Sequence, residues 1–275
     1  MPANSLPRRL LKTALTPVVN TRGYHVLRNL AMAWDIRSGA WKEPEIDLIK
    51  YVVKPGDTAI DIGANFGIYS YHLAQAVAPT GRVYAFEPIP TTTKGFRLIA
   101  RLLRFKNVEL VEKGCGDRAE TINFRVPLQD NGAVIPGVVH AASRNDSRNG
   151  REQHARFEKY TELPCEIVRI DDFLPNLERV SFIKCDVEGA DFLALRGARK
   201  TIERNRPLVV SEINPWFLDG FGIKLEEFVG FFTKMGYGLH RYQDGRLIPT
   251  PLEKVVEDNW VFLPEERRGQ VASLL

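Results

Sequence analysis

The sequence has few cysteines, no long apolar run and no strong excess of charge of either sign. Its 275 residues include three cysteines that are far apart and lack metal-ligand spacing. An odd cysteine count without a recognisable signal peptide favours a reducing compartment. No stretch approaches the roughly 18 apolar residues of a membrane-spanning helix. We therefore expect no membrane span and a cytoplasmic location.

The charge balance does not favour a polyanionic partner. The chain carries 38 basic and 34 acidic residues, a formal net charge of +4. The polar stretch 141–158 contains Arg144, Arg148, Arg151 and Arg156, but it also contains three acidic residues. This mixture is more typical of a solvated loop than of a surface that follows a phosphate backbone. Nucleic-acid binding is therefore not favoured.

Apolar runs and helix-like stretches alternate along most of the chain. The predicted core strands are 58–62, 82–86, 108–112, 180–185 and 207–212, and the predicted helices are 67–77, 91–104, 190–203 and 224–235. This alternation predicts a parallel sheet with helices on both faces. Further strands are predicted at Thr121–Val126, Cys165–Ile170, 237–242 and 259–263.

We expect one large domain with appendages, because 275 residues are a little short for two full domains. Residues 1–45 are predicted to form a helical, substrate-side extension. Within it, Leu6–Val19 has the pattern of a basic amphipathic helix, which could cap the sheet, join a homodimer or touch a membrane surface. Residues 46–275 form the main domain, with a lid or loop inserted at about 127–163.

The stretch Asp61-Ile-Gly-Ala-Asn-Phe-Gly67 follows the first strand and predicts a ligand-binding turn. Glycine lets the backbone approach a ligand closely, and asparagine tolerates a left-handed backbone. The spacing differs from the G-x-G-x-x-G of nicotinamide-binding turns. The next strand ends in Glu87-Pro88, near the position expected for a ribose-binding carboxylate. Together these residues predict a crevice for a nucleoside.

Further acidic residues end the other core strands. Asp186 and Glu188 follow strand 180–185, and Glu212 ends the next strand. The carboxyl ends of parallel strands meet at one edge of a sheet, where ligands bind. Asp117, in the turn Gly114-Cys-Gly-Asp117, could meet an adenine amino group, although a surface turn is an equal alternative.

Taken in order, these motifs closely resemble the FkbM family of S-adenosylmethionine-dependent methyltransferases. The matching stretches are Asp61-Ile-Gly-Ala-Asn-Phe-Gly67, Phe86-Glu-Pro88, Asp186-Val-Glu-Gly-Ala190 and Val209-Val-Ser-Glu212, within about 41–264. The resemblance implies an α/β class I methyltransferase (Rossmann-like) fold, with a seven-stranded sheet, helices on both faces and an antiparallel hairpin at the C-terminal end. It also implies methyl transfer to oxygen, commonly to a hydroxyl of a sugar or secondary metabolite.

The same resemblance implies a set of residues that bind S-adenosylmethionine. They are Asp61, Gly63, Ala64, Asn65, Phe66, Gly67, Tyr69, Glu87, Pro88, Cys115, Gly116, Asp117 and Asp186. The glycines of the first turn would border the methionine part of the cofactor. Glu87 would hold the ribose, and Asp117 would lie near the adenine.

A neutral hydroxyl is a poor nucleophile, so a base or a metal ion has to assist it. The candidate catalytic residues are Asp186, Glu188, Glu212 and His140. We prefer Asp186 because it ends its strand beside the cofactor crevice. A divalent cation on the three carboxylates is an alternative that we do not include in the prediction. His140 lies in the irregular stretch, where a solvated histidine is the main alternative.

Other functions stay open from the sequence. An RNA or protein methyltransferase of the same fold would use the same cofactor motifs. A nicotinamide-dependent oxidoreductase fits less well because the glycine spacing of the first turn differs. A catalytically silent scaffold is disfavoured by the retained cofactor motifs. The sequence does not identify the acceptor molecule.

Overall fold

The computed structural model describes residues 21–128, 140–141 and 159–275. The predicted helix Leu6–Val19, the four arginines of the polar stretch and most of the 127–163 insertion therefore lie outside the described residues. In the part of the chain that is described, no helix combines the length and the apolar character needed to cross a membrane.

The described elements follow the alternation that the sequence predicts. The first half contains α1 (Thr21–Ser38), a 3-10 helix (Pro44–Leu48), α2 (Ile49–Val52), β1 (Thr58–Ile62), α3 (Ile68–Val77), β2 (Arg82–Phe86), α4 (Pro90–Leu103), β3 (Val108–Val111), β4 (Gly114–Cys115), β5 (Glu120–Pro127) and β6 (His140–Ala141). The second half contains β7 (Tyr160–Val168), α5 (Ile170–Phe173), β8 (Val180–Cys185), α6 (Asp191–Gly197), α7 (Arg199–Asn205), β9 (Leu208–Ile213), α8 (Pro215–Gly220), α9 (Leu225–Thr233), β10 (Tyr237–Gln243), β11 (Arg246–Pro249) and β12 (Asp258–Pro264), with 3-10 helices at Leu252–Lys254 and Glu265–Leu274.

The main sheet has the strand order β11-β10-β12-β9-β8-β1-β2-β3. Strands β3, β2, β1, β8 and β9 are parallel to one another, whereas β12 is antiparallel to β9 and to β10, and β11 is antiparallel to β10. This is the predicted class I methyltransferase fold, with its antiparallel strands at the C-terminal end. The parallel strands bring their carboxyl ends to one edge, where a ligand site is expected.

The predicted count of seven strands is wrong, because the main sheet has eight within the described residues. The additional strand is β11, which pairs with β10 through a two-residue turn at Asp244-Gly245. Both turn residues have positive φ, 51° and 77°, as a type I′ hairpin requires. An Asp-Gly pair is a strong local hairpin signal, so this strand was detectable in the sequence.

A second, four-stranded sheet in the order β4-β7-β5-β6 covers the region around the insertion. The strand predicted at Thr121–Val126 is present within β5. The bounds predicted for Cys165–Ile170 are wrong, because β7 begins at Tyr160 and ends at Val168. It pairs with β5 from Tyr160 opposite Pro127 to Ile167 opposite Glu120.

The single helix predicted at 190–203 is two helices, α6 and α7, separated by Ala198 at φ −105° and ψ 13°. The Asp171 carboxylate explains the new start. It accepts hydrogen bonds from the backbone N–H groups of Lys200 and Thr201 and from the Thr201 hydroxyl, at 2.8 to 2.9 Å. The first backbone N–H groups of a helix have no carbonyl partner within the helix. The Asp171 carboxylate therefore stabilises the start of α7 by accepting from two of them.

Apolar layers cover both faces of the main sheet. On one face, Phe192, Phe228 and Phe232 pack against Phe262, whose ring centroid is 3.9 Å from that of Phe232. The opposite face is covered by α2 and α3, and α1 packs across α4. These layers exclude water from the faces of the sheet and leave its carboxyl edge open for the site.

Candidate functional site

A cavity of about 660 Å³ lies at the carboxyl edge of β1, β2, β8 and β9. This volume is within the range of small-molecule sites. Most of the predicted site residues line it: Asp61, Gly63, Ala64, Asn65, Tyr69, Glu87, Pro88, Cys115, Gly116, Asp117, Asp186, Glu188 and Glu212. Side chains of the second sheet, Ile122, Phe124 and Ile167, form an apolar wall on the opposite side.

Two predicted residues of the first turn, Phe66 and Gly67, are not among the described residues that line the cavity. Phe66 is 1% exposed and belongs to the apolar core, with the Arg28 guanidinium 4.9 Å from its ring centroid. Gly67 precedes α3, and a side chain at this position would meet Phe96. His140 lies in β6, where its backbone pairs with Arg125. Phe66 and Gly67 therefore shape the first turn from its core side.

Backbone geometry explains the glycine at the start of the turn. Gly63 has φ 77°, and a Cβ atom at this position would overlap the carbonyl oxygen of Asp186. The N–H groups of Gly63 and Ala64 both donate to the Phe86 carbonyl at 2.9 Å. The turn is therefore hydrogen-bonded to the end of β2 and packed closely against the end of β8. Only glycine combines this φ with this close approach.

Glu87 connects the end of β2 to the first turn. Its Oε2 accepts from the Asn65 backbone N–H at 3.1 Å, and its Oε1 accepts from that of Ile89 at 2.9 Å. Burial raises the pKa of Glu87 to about 7, although both hydrogen bonds oppose this shift. The Asn65 Oδ1 atom is buried without a hydrogen-bond partner. A polar ligand in the cavity would satisfy it.

Lys184 lies at the base of the cavity and is 2% exposed. Its Nζ donates to Asp186 Oδ2 at 3.3 Å and to Asn259 Oδ1 at 2.8 Å, and it lies 5.2 Å from the Tyr69 ring centroid. Burial alone would lower the pKa of Lys184, but the surrounding carboxylates outweigh it and raise the pKa above its ordinary value. The residue is therefore an ammonium ion inside the site.

Asp191 shapes the turn that carries Glu188. Its carboxylate accepts from the Val187 N–H at 3.3 Å and from the Gly189 N–H at 3.1 Å. Both Glu188 and Gly189 have positive φ, 55° and 94°, so the turn needs this support. Burial, with the Asp186 carboxylate nearby, raises the pKa of Asp191 to about 7.

Glu212 contributes a neutral acid to the site. Its Oε2 atom is buried without a hydrogen-bond partner. Burial is the main cause that raises the pKa of Glu212 to about 9, and the charges of Asp186, Asp191 and Glu188 add to it. Glu212 therefore carries a proton at neutral pH, and it can donate a hydrogen bond that an ionised carboxylate cannot.

The sequence profile described as "Methyltransferase FkbM domain" matches residues 61–239, which include both the first turn and the acidic turn after β8. The chain belongs to the FkbM methyltransferase family. The resemblance inferred from the four motifs is thereby confirmed.

The individual relatives share low sequence identity with this chain. "Methyltransferase 1" from Beauveria bassiana is 29% identical over 153 residues, 52% of this chain and 59% of that protein. "2-O-methyltransferase NoeI" from Sinorhizobium fredii is 24% identical over 161 residues, 58% of this chain and 64% of that protein. The chain thus spans less than two thirds of either relative. The crystal structure of a methyltransferase FkbM from Methylobacillus flagellatus is 14% identical, with a TM-score of 0.44, covering 94% of this chain and 71% of that chain.

Asp117 of this FkbM domain already has a protein partner. Its Oδ2 accepts a hydrogen bond from the Arg196 guanidinium, which also lies over the Phe192 ring. The carboxylate is therefore held against α6 at the rim of the cavity. A contact with adenine would use the remaining hydrogen-bonding capacity of this carboxylate.

In the described part of the chain, no group of three His, Cys, Asp or Glu side chains has an arrangement that could hold a metal ion. Among the acidic residues at the cavity, Asp186 instead has the Lys184 ammonium as its ion-pair partner.

Several residues that line the cavity were not predicted as site residues from the sequence, among them Trp41, Glu43 and Lys184. Lys184 was detectable, because it is a charged residue within the otherwise uncharged, fully buried strand β8. Buried lysines are rare unless they are paired, which marks the position as functional or structurally special. Trp41 and Glu43 lie in a connecting segment before the 3-10 helix, and no local pattern distinguishes them.

The buried acid Glu212 predicts a specific dependence of stability on pH. In the folded protein, Glu212 retains its proton up to about pH 9, whereas an unperturbed glutamate loses its proton near pH 4.5. The folded state therefore binds more protons between these values, so the contribution of Glu212 to stability falls as pH rises through this window. We expect Glu212→Gln to gain stability relative to the unmodified protein as pH rises from about 5 to 8.5.

Melting temperatures of both proteins across this range, at constant ionic strength, measure that difference. Other titrating groups contribute to each curve but largely cancel between the two proteins. The exposed Glu253→Gln is the matched control and should follow the unmodified protein. Parallel curves for Glu212→Gln and the unmodified protein would contradict the assigned protonation state.

Proposed function

We propose that this chain transfers the methyl group of S-adenosylmethionine to a hydroxyl oxygen of a small molecule or glycan. One observation carries the proposal: a single cavity brings the Glu87 carboxylate and the Gly63 turn together with the acidic turn at Asp186. The Glu87 carboxylate and the Gly63 turn suit a nucleoside, and the acidic turn suits a hydroxyl group that must lose a proton. Membership of the FkbM family supports methyl transfer.

The cofactor half of the site consists of the first turn and Glu87. Both Glu87 oxygens accept backbone hydrogen bonds, which fix the carboxylate while leaving each oxygen a further lone pair for a ribose hydroxyl. The unsatisfied Asn65 Oδ1 is a further acceptor in the same turn. The residues present therefore fit S-adenosylmethionine, which supplies an electrophilic methyl group when bound.

The acceptor half centres on Asp186. We assign it the role of general base: its carboxylate takes the hydroxyl proton as the oxygen forms its bond to the methyl carbon and the carbon–sulfur bond breaks. Glu188 and Glu212 line the same part of the cavity and would contact other hydroxyls of the acceptor. Holding both molecules in one cavity also lowers the entropic cost of the reaction.

Replacing Glu87 with Gln tests the cofactor assignment. The variant retains the shape of the side chain but loses the charge that strengthens hydrogen bonds to ribose hydroxyls. Hydrogen bonds to charged groups contribute about 1.5–3 kcal/mol, so we expect the Kd for S-adenosylmethionine to rise by about 10- to 100-fold in calorimetry.

The matched control is Glu109→Gln, an exposed glutamate on β3 that pairs with Arg82. It should bind S-adenosylmethionine with unchanged affinity. An unchanged Kd in Glu87→Gln would remove the ribose assignment. Binding of NAD in place of S-adenosylmethionine by the unmodified protein would instead favour the oxidoreductase alternative.

The acceptor class needs its own experiment. We propose incubating the protein and methyl-labelled S-adenosylmethionine with a panel of glycans and small hydroxylated metabolites, followed by mass identification of the product. The relative NoeI is named a 2-O-methyltransferase, which supports starting with sugars. Label on RNA or on protein would overturn the proposed substrate class. A cytoplasmic location, a homodimer and the boundary near residue 45 stay predictions.

A further inference from the structure

Three structural elements hold the Lys184 ammonium in place. Lys184 itself lies in the buried strand β8, Asn259 on β12 accepts its hydrogen bond at 2.8 Å, and the Tyr69 ring on α3 lies 5.2 Å away. Asn259 is paired across the sheet with Glu212. The ammonium group is therefore fixed relative to both acidic strand ends.

Several titratable groups face this ammonium from the surrounding elements. They are Glu43, Glu45, Asp61, Tyr69, Asp186, Asp191 and Glu212. Burial, together with the like charges of their neighbours, raises the pKa of Glu45, Asp191 and Glu212. The position of the cation decides which of the carboxyl groups it pairs with.

Among the described residues, Asp186 is the carboxylate within ion-pair distance of the Lys184 Nζ. Glu212 is farther away, and burial together with its acidic neighbours raises its pKa to about 9. The ammonium therefore pairs with Asp186 and fixes the place of its Oδ2 atom in the cavity wall. A general base has to be held within reach of the proton that it accepts, which makes this arrangement useful for catalysis.

We propose that Lys184 is a positioning residue that holds the Asp186 carboxylate in the orientation in which it accepts the proton of the acceptor hydroxyl. This inference rests on the proposed function, because it assigns Lys184 a role in the same methyl transfer. The competing interpretation is a purely structural ion pair that neutralises a buried cluster. The two differ in their consequences for the turnover of a variant that is folded and binds the cofactor.

The test compares kcat and KM of Lys184→Gln, Lys184→Arg and the unmodified protein at neutral pH, using an acceptor identified from the panel. Lys184→Gln removes the ammonium that pairs with Asp186. A misplaced base lowers the rate of the chemical step, so kcat should fall by about 100-fold while KM for the acceptor changes little. Lys184→Arg retains a cation for the same carboxylate and should recover most of this loss.

Affinity for S-adenosylmethionine separates this inference from the proposed function. We expect Lys184→Gln to bind the cofactor as the unmodified protein does, since Glu87 and the first turn are intact. Failure of the unmodified protein to bind S-adenosylmethionine would reject the proposed function itself. A lower melting temperature with an unchanged kcat in the folded variant would overturn the positioning role alone. The exposed Lys234→Gln serves as the matched control.

A second variant covers the case in which Lys184→Gln does not fold. Asn259→Asp places a carboxylate at the position that now accepts from Nζ at 2.8 Å. The new charge should compete with Asp186 for the ammonium and lower kcat. An unchanged kcat in folded Asn259→Asp would overturn the proposal.

Discussion

Asp186→Asn is expected to abolish methyl transfer while S-adenosylmethionine still binds. The amide has nearly the shape of the carboxylate but cannot accept a proton from the acceptor hydroxyl. General base catalysis contributes about 10²- to 10⁴-fold to the rate, so we expect kcat to fall by a factor of that size. The measurements are turnover with an identified acceptor and the Kd for the cofactor by calorimetry.

The same substitution leaves the buried Lys184 ammonium without its ion-pair partner, which costs stability. Turnover therefore has to be compared well below the melting temperature of the variant. The matched control is Asp172→Asn, an exposed aspartate of α5 that pairs with Arg169. Near-normal turnover in Asp186→Asn would transfer the role of base to Glu188 or His140.

Gly63→Ala is expected to destroy the cofactor site and to destabilise the fold. A methyl group at this position would overlap the Asp186 carbonyl oxygen, and φ is 77°. A left-handed backbone costs a residue other than glycine about 1–2 kcal/mol before any overlap is counted. To relieve the overlap, the first turn has to move away from the end of β8. We expect a loss of several kcal/mol in total and no measurable binding of S-adenosylmethionine.

Gly230→Ala is the matched control for this experiment. Gly230 lies inside α9, and no atom lies within 4 Å of the position of an added Cβ. Alanine is favoured over glycine in a helix by roughly 0.5–1 kcal/mol, so this variant should be as stable as the unmodified protein or more so. The pair is measured by chemical denaturation and by cofactor titration. Tight cofactor binding by Gly63→Ala would contradict the inference that the cofactor site needs the close contact between the first turn and the end of β8.

Local sequence patterns were sufficient for the central part of the fold. Strands β1, β2 and β8 were predicted with the bounds that the structure has, because each is an apolar run bordered by a turn. The boundary between α6 and α7 was missed. Its cause is the Asp171 carboxylate, which lies about thirty residues earlier in the chain and caps α7 only after the chain has folded. No rule that reads neighbouring residues detects such a contact.

The site shows the same division between local and distant information. Asp61, Glu87, Asp186 and Glu212 were predicted at the cavity because each ends a core strand of a parallel sheet. Phe66 and Gly67 were predicted beside the cofactor as members of the same motif. The structure turns both toward the core, because successive residues of a tight turn face different directions. A motif therefore locates a turn but does not say which of its residues face the ligand.

The sequence by itself determined the α/β class, the order of the core strands along the chain and the family, since each depends on residues that are close together or on motifs read in order. Only the tertiary structure decided the protonation of the carboxyl groups and the place of Lys184 among them. The pKa of a buried group depends on its desolvation and on charges within a few ångströms. Around Lys184 those charges come from segments as distant along the chain as Glu43 and Glu212, and folding alone brings them together.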